Sequence, residues 1–212
     1  MNVIKQPRFI PKEEIEAKAI EVLRFVQTQR KRSLKWPIDP GHIAEYLGLD
    51  MDFGYISPDD DGEIAAMIIP TERKIVMNER SLELPQGFEE SSIAHEIGHW
   101  ELHIDKYPMS KLQKQGNSQL EASVEPFLCR SSNTQNKIEW QAQYFAGCFL
   151  MPKFKLQEVL RGRCLTNWKH LYAMKDEFGV TISNLTNRLQ GLGWIHIPKG
   201  SKQIYRGHAS PK

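Results

Sequence analysis

Residues 92–103 read SIAHEIGHWELH, which contains the pattern H-E-x-x-H at residues 95–99. On an α-helix, residues four apart lie on one face about one turn apart, so His95 and His99 can reach the same metal ion. Glu96 then lies beside the ion, where its carboxylate can take a proton from a water molecule. The stretch therefore predicts a helix that carries a zinc site and a general base.

The flanks of this pattern argue against a chance match on a solvated helix face. They predict a mostly buried helix through five apolar residues: Ile93, Ala94, Ile97, Trp100 and Leu102. Polar groups buried without partners cost several kcal/mol, and a metal ion supplies a partner for two histidines and a glutamate. Gly98 is about 1 kcal/mol worse than Ala in a helix, and its lack of a side chain could let another backbone or the substrate strand approach closely.

Composition bounds the class of protein. The 212 residues are 40% hydrophobic and 25% charged, which suits one globular domain over residues 1–212. The net charge of +2 gives no electrostatic case for nucleic acid or acidic membranes. No stretch approaches the ~18 apolar residues of a membrane span, and the first residues lack the apolar core of a signal peptide. Three widely spaced cysteines, Cys129, Cys148 and Cys164, predict reduced thiols and a cytoplasmic protein.

Hydrophobic periodicity predicts an α+β fold, in which a small, mostly antiparallel sheet packs on the H-E-x-x-H helix and a helical C-terminal part follows. Three strands are expected ahead of that helix, and residues 105–137 are expected to be an irregular loop that is functional or partly disordered. The expected helices cover residues 11–30, 40–47, 138–151, 153–161, 166–177 and 181–190. The expected strands cover residues 49–56, 64–70 and 74–78, with a terminal hairpin at 192–197 and 202–206.

A catalytic zinc ion usually has three protein ligands, so a third must come from elsewhere in the chain. His103 is the local candidate, but each helical turn rises 5.4 Å, so a straight helix cannot easily bring three successive turns onto one ion. His103 therefore fits a supporting position better. Glu139, at the start of the second buried helix, is the better candidate, although a solvated helix-start glutamate explains it almost equally well. Glu121 and Glu125 are not excluded by position.

Two motifs taken together resemble the ImmA/IrrE-type metallopeptidases: AHEIGH at residues 94–99 and EWQAQYFAGCFLMP at residues 139–152. Residues 39–49 (DPGHIAEYLGL), 74–78 (KIVMN) and 178–193 (FGVTISNLTNRLQGLG) are also similar to segments of that family. The chain departs from it at residues 87–92, which read GFEESS where members often carry an Arg-Phe-Thr-like segment, and in the long gap between the motifs. These departures affect the choice of substrate more than metal binding.

The resemblance implies a zincin-like fold with a catalytic core at residues 12–152, a helix-turn-helix-like segment at 153–195 and a C-terminal tail or hairpin at 196–212. It implies one Zn²⁺ per chain held by His95, His99 and Glu139, with Glu96 as the general base. The implied substrate is a specific protein, often a helix-turn-helix repressor whose cleavage releases a stress or mobile-element operon. His103, Tyr144 and His170 are candidates for second-shell or transition-state partners, and the sequence does not select among them.

Two other classes of function remain open from the sequence. The protein could bind a repressor without cleaving it, for example as half of a toxin–antitoxin pair. It could also bind DNA through residues 166–193, because Asn184, Asn187, Arg188 and Gln190 are residue types that contact base edges. A packing role for these helices is favoured over DNA binding, because the chain lacks a basic stripe.

Overall fold

The computed structural model describes residues 4–6, 8–58, 62–85, 87–106, 127–130 and 137–207. Its elements confirm the predicted α+β fold. The helices are α1 (Lys12–Arg30), α2 (Pro40–Tyr46), α3 (Phe88–His103), α4 (Lys137–Leu150), α5 (Lys153–Val159), α6 (Trp168–Phe178) and α7 (Ile182–Gly191). The strands are β1 (Asp50–Gly54), β2 (Ile64–Ile69), β3 (Lys74–Asn78), β4 (Phe127–Arg130), β5 (Ile195–His196) and β6 (Tyr205–Arg206).

The main sheet has four strands in the order β1-β3-β2-β4, where three were predicted. Strand β3 runs parallel to β1 and antiparallel to β2, and β2 is also antiparallel to β4. The prediction of an irregular segment over residues 105–137 was therefore wrong at β4, and residues 107–126 and 131–136 lie outside the described residues. Four residues are too few to show a strand period, but β2 is buried along most of its length and needs pairing on both edges.

The first two helices form where local sequence favours them. A stripe of apolar residues on α1 is buried as the helical spacing predicts: Ile15, Ala19, Val22, Leu23 and Val26. The Asp39 carboxylate caps α2 by accepting a hydrogen bond from the His42 N–H at 3.0 Å, and Pro40 occupies the first helical position. Helix α1 packs against α4, and α2 packs against the motif helix α3.

Helix α3 lies between the sheet and α4, and every residue from Ser92 to His103 is buried. The residue before its first turn is Gly87, whose φ of 90° lies in the left-handed region. A Cβ atom at this position would come within 2.6 Å of the Val180 carbonyl carbon, so only glycine fits. The start of α3 is thereby set against the turn between α6 and α7.

The end of α3 is held by the N-terminal residues. Ile4 forms a β-bridge with Ile104, and the Lys5 N–H donates to the His103 carbonyl at 2.8 Å. The Lys5 ammonium also donates to the Glu101 and Leu102 carbonyls at 3.3 and 3.2 Å. These bonds satisfy carbonyls that a helix end leaves without intrahelical partners.

The C-terminal elements share the hydrophobic core of the rest of the chain. Leu171 of α6, Leu185 of α7 and Ile195 of β5 belong to the same cluster as Ile97 of α3. Strands β5 and β6 pair as the predicted terminal hairpin. The proposed boundaries at residues 152 and 195 stay a prediction. Among the described residues, no helix has the length and apolar character needed to cross a lipid bilayer.

Candidate metal centre

Three side chains from α3 and α4 converge on one point. The Nε2 atoms of His95 and His99 lie 2.9 Å apart. The Glu139 carboxylate lies 3.0 Å from the first and 3.3 Å from the second through its two oxygens. The structure therefore brings together the two motif histidines and Glu139. Two other candidates for the third ligand, Glu121 and Glu125, lie outside the described residues.

This donor set fits a divalent metal ion. Ligand atoms about 2.0–2.1 Å from one tetrahedral zinc ion lie about 3.3 Å from one another, close to the observed separations. His99 is fully buried, and the side chain of Glu139 is only 18% exposed. Two imidazoles and one carboxylate also leave a fourth position for water, as catalytic zinc sites require. His95, His99 and Glu139 are thus close enough to hold a metal ion.

Glu96, the predicted base, follows His95 on α3 and is completely buried. A glutamate in this position does not contribute to solubility, because it does not reach the solvent. Glutamate is almost never fully buried without a partner, which indicates a role for Glu96 inside the protein. Its position one residue after a candidate ligand is the one that the H-E-x-x-H pattern assigns to the proton acceptor.

Each candidate histidine ligand is oriented through its other ring nitrogen. The His95 Nδ1 lies 3.3 Å from the Gln143 amide oxygen, to which it can donate a proton when Nε2 binds a metal ion. The His99 Nδ1 lies 3.1 Å from the His103 Nδ1. His103 therefore lies behind the candidate ligand His99, and its supporting role stays a prediction.

A chain of hydrogen bonds fixes the tautomer of His99. The Gln141 Nε2 donates to the Arg8 carbonyl at 2.9 Å, so its Oε1 accepts from the His103 Nε2 at 3.0 Å. In a neutral His103 the Nδ1 must then accept, and it accepts from the Nδ1–H of His99. The Nε2 lone pair of His99 is consequently left for a metal ion.

Burial and neighbouring side chains shift the pKa values of His99, His103 and Glu139. Burial lowers the pKa of His99 to about 4 and that of His103 to about 4, so both rings are neutral near pH 7. Burial alone would raise the pKa of Glu139, but the neighbouring His95 and His99 rings outweigh it and hold that pKa well below its usual range. The site therefore offers a neutral imidazole at His99 and an ionised carboxylate at Glu139.

The other two candidates for transition-state partners lie elsewhere. His170 accepts a hydrogen bond from the Cys164 N–H at 2.8 Å, and no described hydrogen bond joins it to a candidate ligand. Tyr144 stacks on Trp140 with ring centroids 5.4 Å apart, on the wall of a cavity next to the centre. Burial raises the pKa of Tyr144, so its hydroxyl stays protonated.

Of the four side chains that suggested DNA binding, three contact other parts of the protein and Asn187 is exposed. The Asn184 amide donates to the Ser91 hydroxyl, and the Gln190 Oε1 accepts from the Ile197 N–H at 3.0 Å. Arg188 is 4% exposed, and Asn187 lines the same cavity as Tyr144. This arrangement supports the packing role of α6 and α7 that the sequence favoured.

Fold and site together define a metallopeptidase-like protein, with two helices that contribute a His-His-Glu cluster beside a small sheet. The model of the IrrE N-terminal-like domain (Peptidase M78) matches residues 59–190, and the chain belongs to that family. No curated protein matches the chain significantly.

Among solved structures, a Mycobacterium tuberculosis transcriptional regulator is similar over 85% of this chain, with 15% identity and a TM-score of 0.48. The likeness covers 52% of that regulator, so the chain spans about half its length.

The supporting residues Gln141, Gln143 and Arg8 were missed by the sequence interpretation. A weak signal was present for one of them, because Gln141 is an amide between the apolar Trp140 and Ala142 of α4; the structure shows it fully buried. Arg8 gave none, because it contributes a backbone carbonyl that any residue would supply.

Proposed function

We propose that the protein is a zinc-dependent endopeptidase. The observation that carries the proposal is the convergence of His95, His99 and Glu139, with atoms 2.9–3.3 Å apart, beside a fully buried Glu96. Membership of the M78 peptidase family supports it.

Different residues of the site would bind the metal ion and transfer the proton. His95, His99 and Glu139 would hold the ion, and a bound zinc ion would supply a Lewis acid that polarises the scissile carbonyl and acidifies water. Glu96 takes the proton of the attacking water and delivers it to the leaving amine. His103 and Gln143 keep the two imidazoles in the tautomer and orientation that holding the ion demands.

The substrate we propose is a specific protein, a helix-turn-helix repressor whose cleavage switches on a stress or mobile-element operon. The family resemblance supports this class of substrate. The free thiols of Cys148 and Cys164 support a reducing compartment, so we propose that the reaction takes place in the cytoplasm.

The test is incubation of the purified protein with the repressor encoded nearest to its gene, followed by mass spectrometry. We expect cleavage at a defined bond that a chelator stops and added zinc restores. Glu96→Gln protein serves as the matched control, because it keeps the ligands and lacks the base. Binding of the repressor without cleavage in the zinc-loaded protein would instead establish the non-catalytic alternative.

A further inference from the structure

A cavity of about 210 Å³ adjoins the metal centre between α1, α3, α4 and α7. Gln143 belongs to both, because it lines the cavity and contacts His95. Trp140, which also lines it, directly follows the candidate ligand Glu139. The volume is below the roughly 300 Å³ at which sites for drug-sized molecules begin, so it suits one amino-acid side chain.

A buried guanidinium forms part of this cavity. Arg188 is only 4% exposed; its Nε donates to the Met151 carbonyl at 3.2 Å and its Nη2 pairs with Glu16 at 2.9 Å. Its Nη1 makes no hydrogen bond within the described part of the chain. Such a buried donor is costly unless something else accepts from it.

A second cation lies at the entrance. The Lys12 ammonium lies 6.0 Å from the ring centroid of Trp140 and 5.5 Å from that of Tyr144. No carboxylate of the described residues pairs with it. Glu16 pairs with Arg188, and within the described part of the chain no carboxylate lines the cavity, so the lining residues carry one net positive charge through Lys12.

Neutral groups complete the lining without opposing that charge. Two stacked aromatic rings, Trp140 and Tyr144, form one wall, and the amides of Asn184 and Asn187 form another. Aromatic faces accept the methylene groups of a side chain, and amide N–H groups donate to its oxygens. Lysine and arginine side chains would meet two like charges here.

We propose that this cavity is the subsite for an acidic side chain of the substrate close to the scissile bond. The inference rests on the proposed peptidase function for its place beside the reacting bond. Lys12 and Arg188 attract the carboxylate, and the aromatic wall packs on its methylene groups.

The test measures binding of three capped peptides, acetyl-Ala-Ala-X-Ala-Ala-amide with X as Glu, Gln or Lys, by isothermal titration calorimetry. Glu96→Gln protein is used with one equivalent of zinc and again with a chelator, because a carboxylate can also contact a bound metal. We expect the Glu peptide to bind about tenfold more tightly than the others in both conditions, a factor equal to about 1.4 kcal/mol.

Lys12→Glu, made in the same background, should abolish or reverse that preference and should still fold, because Lys12 is exposed. Lys199→Glu is the matched control, because it makes the same charge change at an exposed lysine that does not line the cavity. Equal affinities for the three peptides, no binding of any peptide, or equal effects of the two variants would overturn the proposal.

A fourth peptide distinguishes the source of the carboxylate. If the Gln peptide with a free C-terminus binds as well as the capped Glu peptide, the cavity takes a chain end, and the side-chain assignment is wrong. The peptidase proposal fails separately, if the zinc-loaded wild-type protein cleaves no repressor while the Glu peptide still binds.

Discussion

Gly98 of α3 lies directly against the backbone of Ala142 in α4. A Cβ atom at Gly98 would be 3.0 Å from the Ala142 carbonyl oxygen and 3.1 Å from its Cα. This contact sets the distance between the helix that carries both histidines and the helix that carries Glu139.

Gly98→Ala should therefore destabilise the protein although alanine favours helix. Overpacking typically destabilises a protein by 1–3 kcal/mol, and the higher helix propensity of alanine stabilises it by about 1 kcal/mol. We therefore expect the free energy of unfolding, measured in urea, to fall by about 1 kcal/mol. Gly147→Ala in α4 is the control, because its Cβ meets only the Arg188 Cδ at 3.7 Å. That variant should be as stable as wild type or more so, and equal effects at both positions would contradict the role of the helix contact.

Glu139→Ala should lower zinc affinity, because it removes one of three donors. Elemental analysis after dialysis should give about one zinc per chain for wild type and Glu96→Gln, and far less for Glu139→Ala. Hydrolysis should fall by about 10²–10⁴-fold in Glu96→Gln, the usual contribution of a general base. Retention of zinc by Glu139→Ala would mean that another residue is the third ligand.

Gln141→Met should weaken zinc binding by about 10–100-fold without touching a ligand. The substitution keeps the side-chain length but removes the acceptor that makes the His103 Nε2 a donor. The ¹⁵N NMR shifts of His99 should report a mixture of tautomers. Gln190→Met is the control, because it removes a hydrogen bond to the Ile197 N–H away from the centre. If both variants lose the same amount of stability and the ¹⁵N shifts of His99 do not change, Gln141 has only a structural role.

The metal-free protein should lose stability as the pH falls from about 6.5 toward 4. The pKa of His99 and that of His103 are lowered by burial to about 4, so in this window the unfolded chain binds protons that the folded one does not. Each histidine lowers the free energy of unfolding by at most about 1.4 kcal/mol per pH unit. Glu139, with its lowered pKa, stabilises the fold above about pH 4.5 and adds to the loss only below that value.

Urea unfolding in a chelator at pH 7.5, 6.5, 5.5 and 4.5 measures this dependence. Its slope between pH 6.5 and 4.5 should be smaller in His103→Gln than in wild type. A slope that His103→Gln leaves unchanged would assign the dependence to other groups.

The sequence predicted most of the elements because each had a local cause. Asp39 capped α2, the stripe from Ile15 to Val26 defined α1, and the 95–99 spacing placed two imidazoles together. Strand β4 was missed because pairing with β2, not its own four residues, makes it a strand. Glu139 could be named only as one of several candidates from spacing, because its approach to His95 depends on how α4 packs on α3.

The hydrogen bond between the Gln141 amide and the Arg8 carbonyl joins residues 133 positions apart. The chain between these two residues contains the whole four-stranded sheet and α3. A chain leaving the ribosome therefore carries both histidines well before it carries Glu139 or the amide that sets the tautomer of His99. The three candidate ligands can therefore come together only after α4 has emerged and packed against α3.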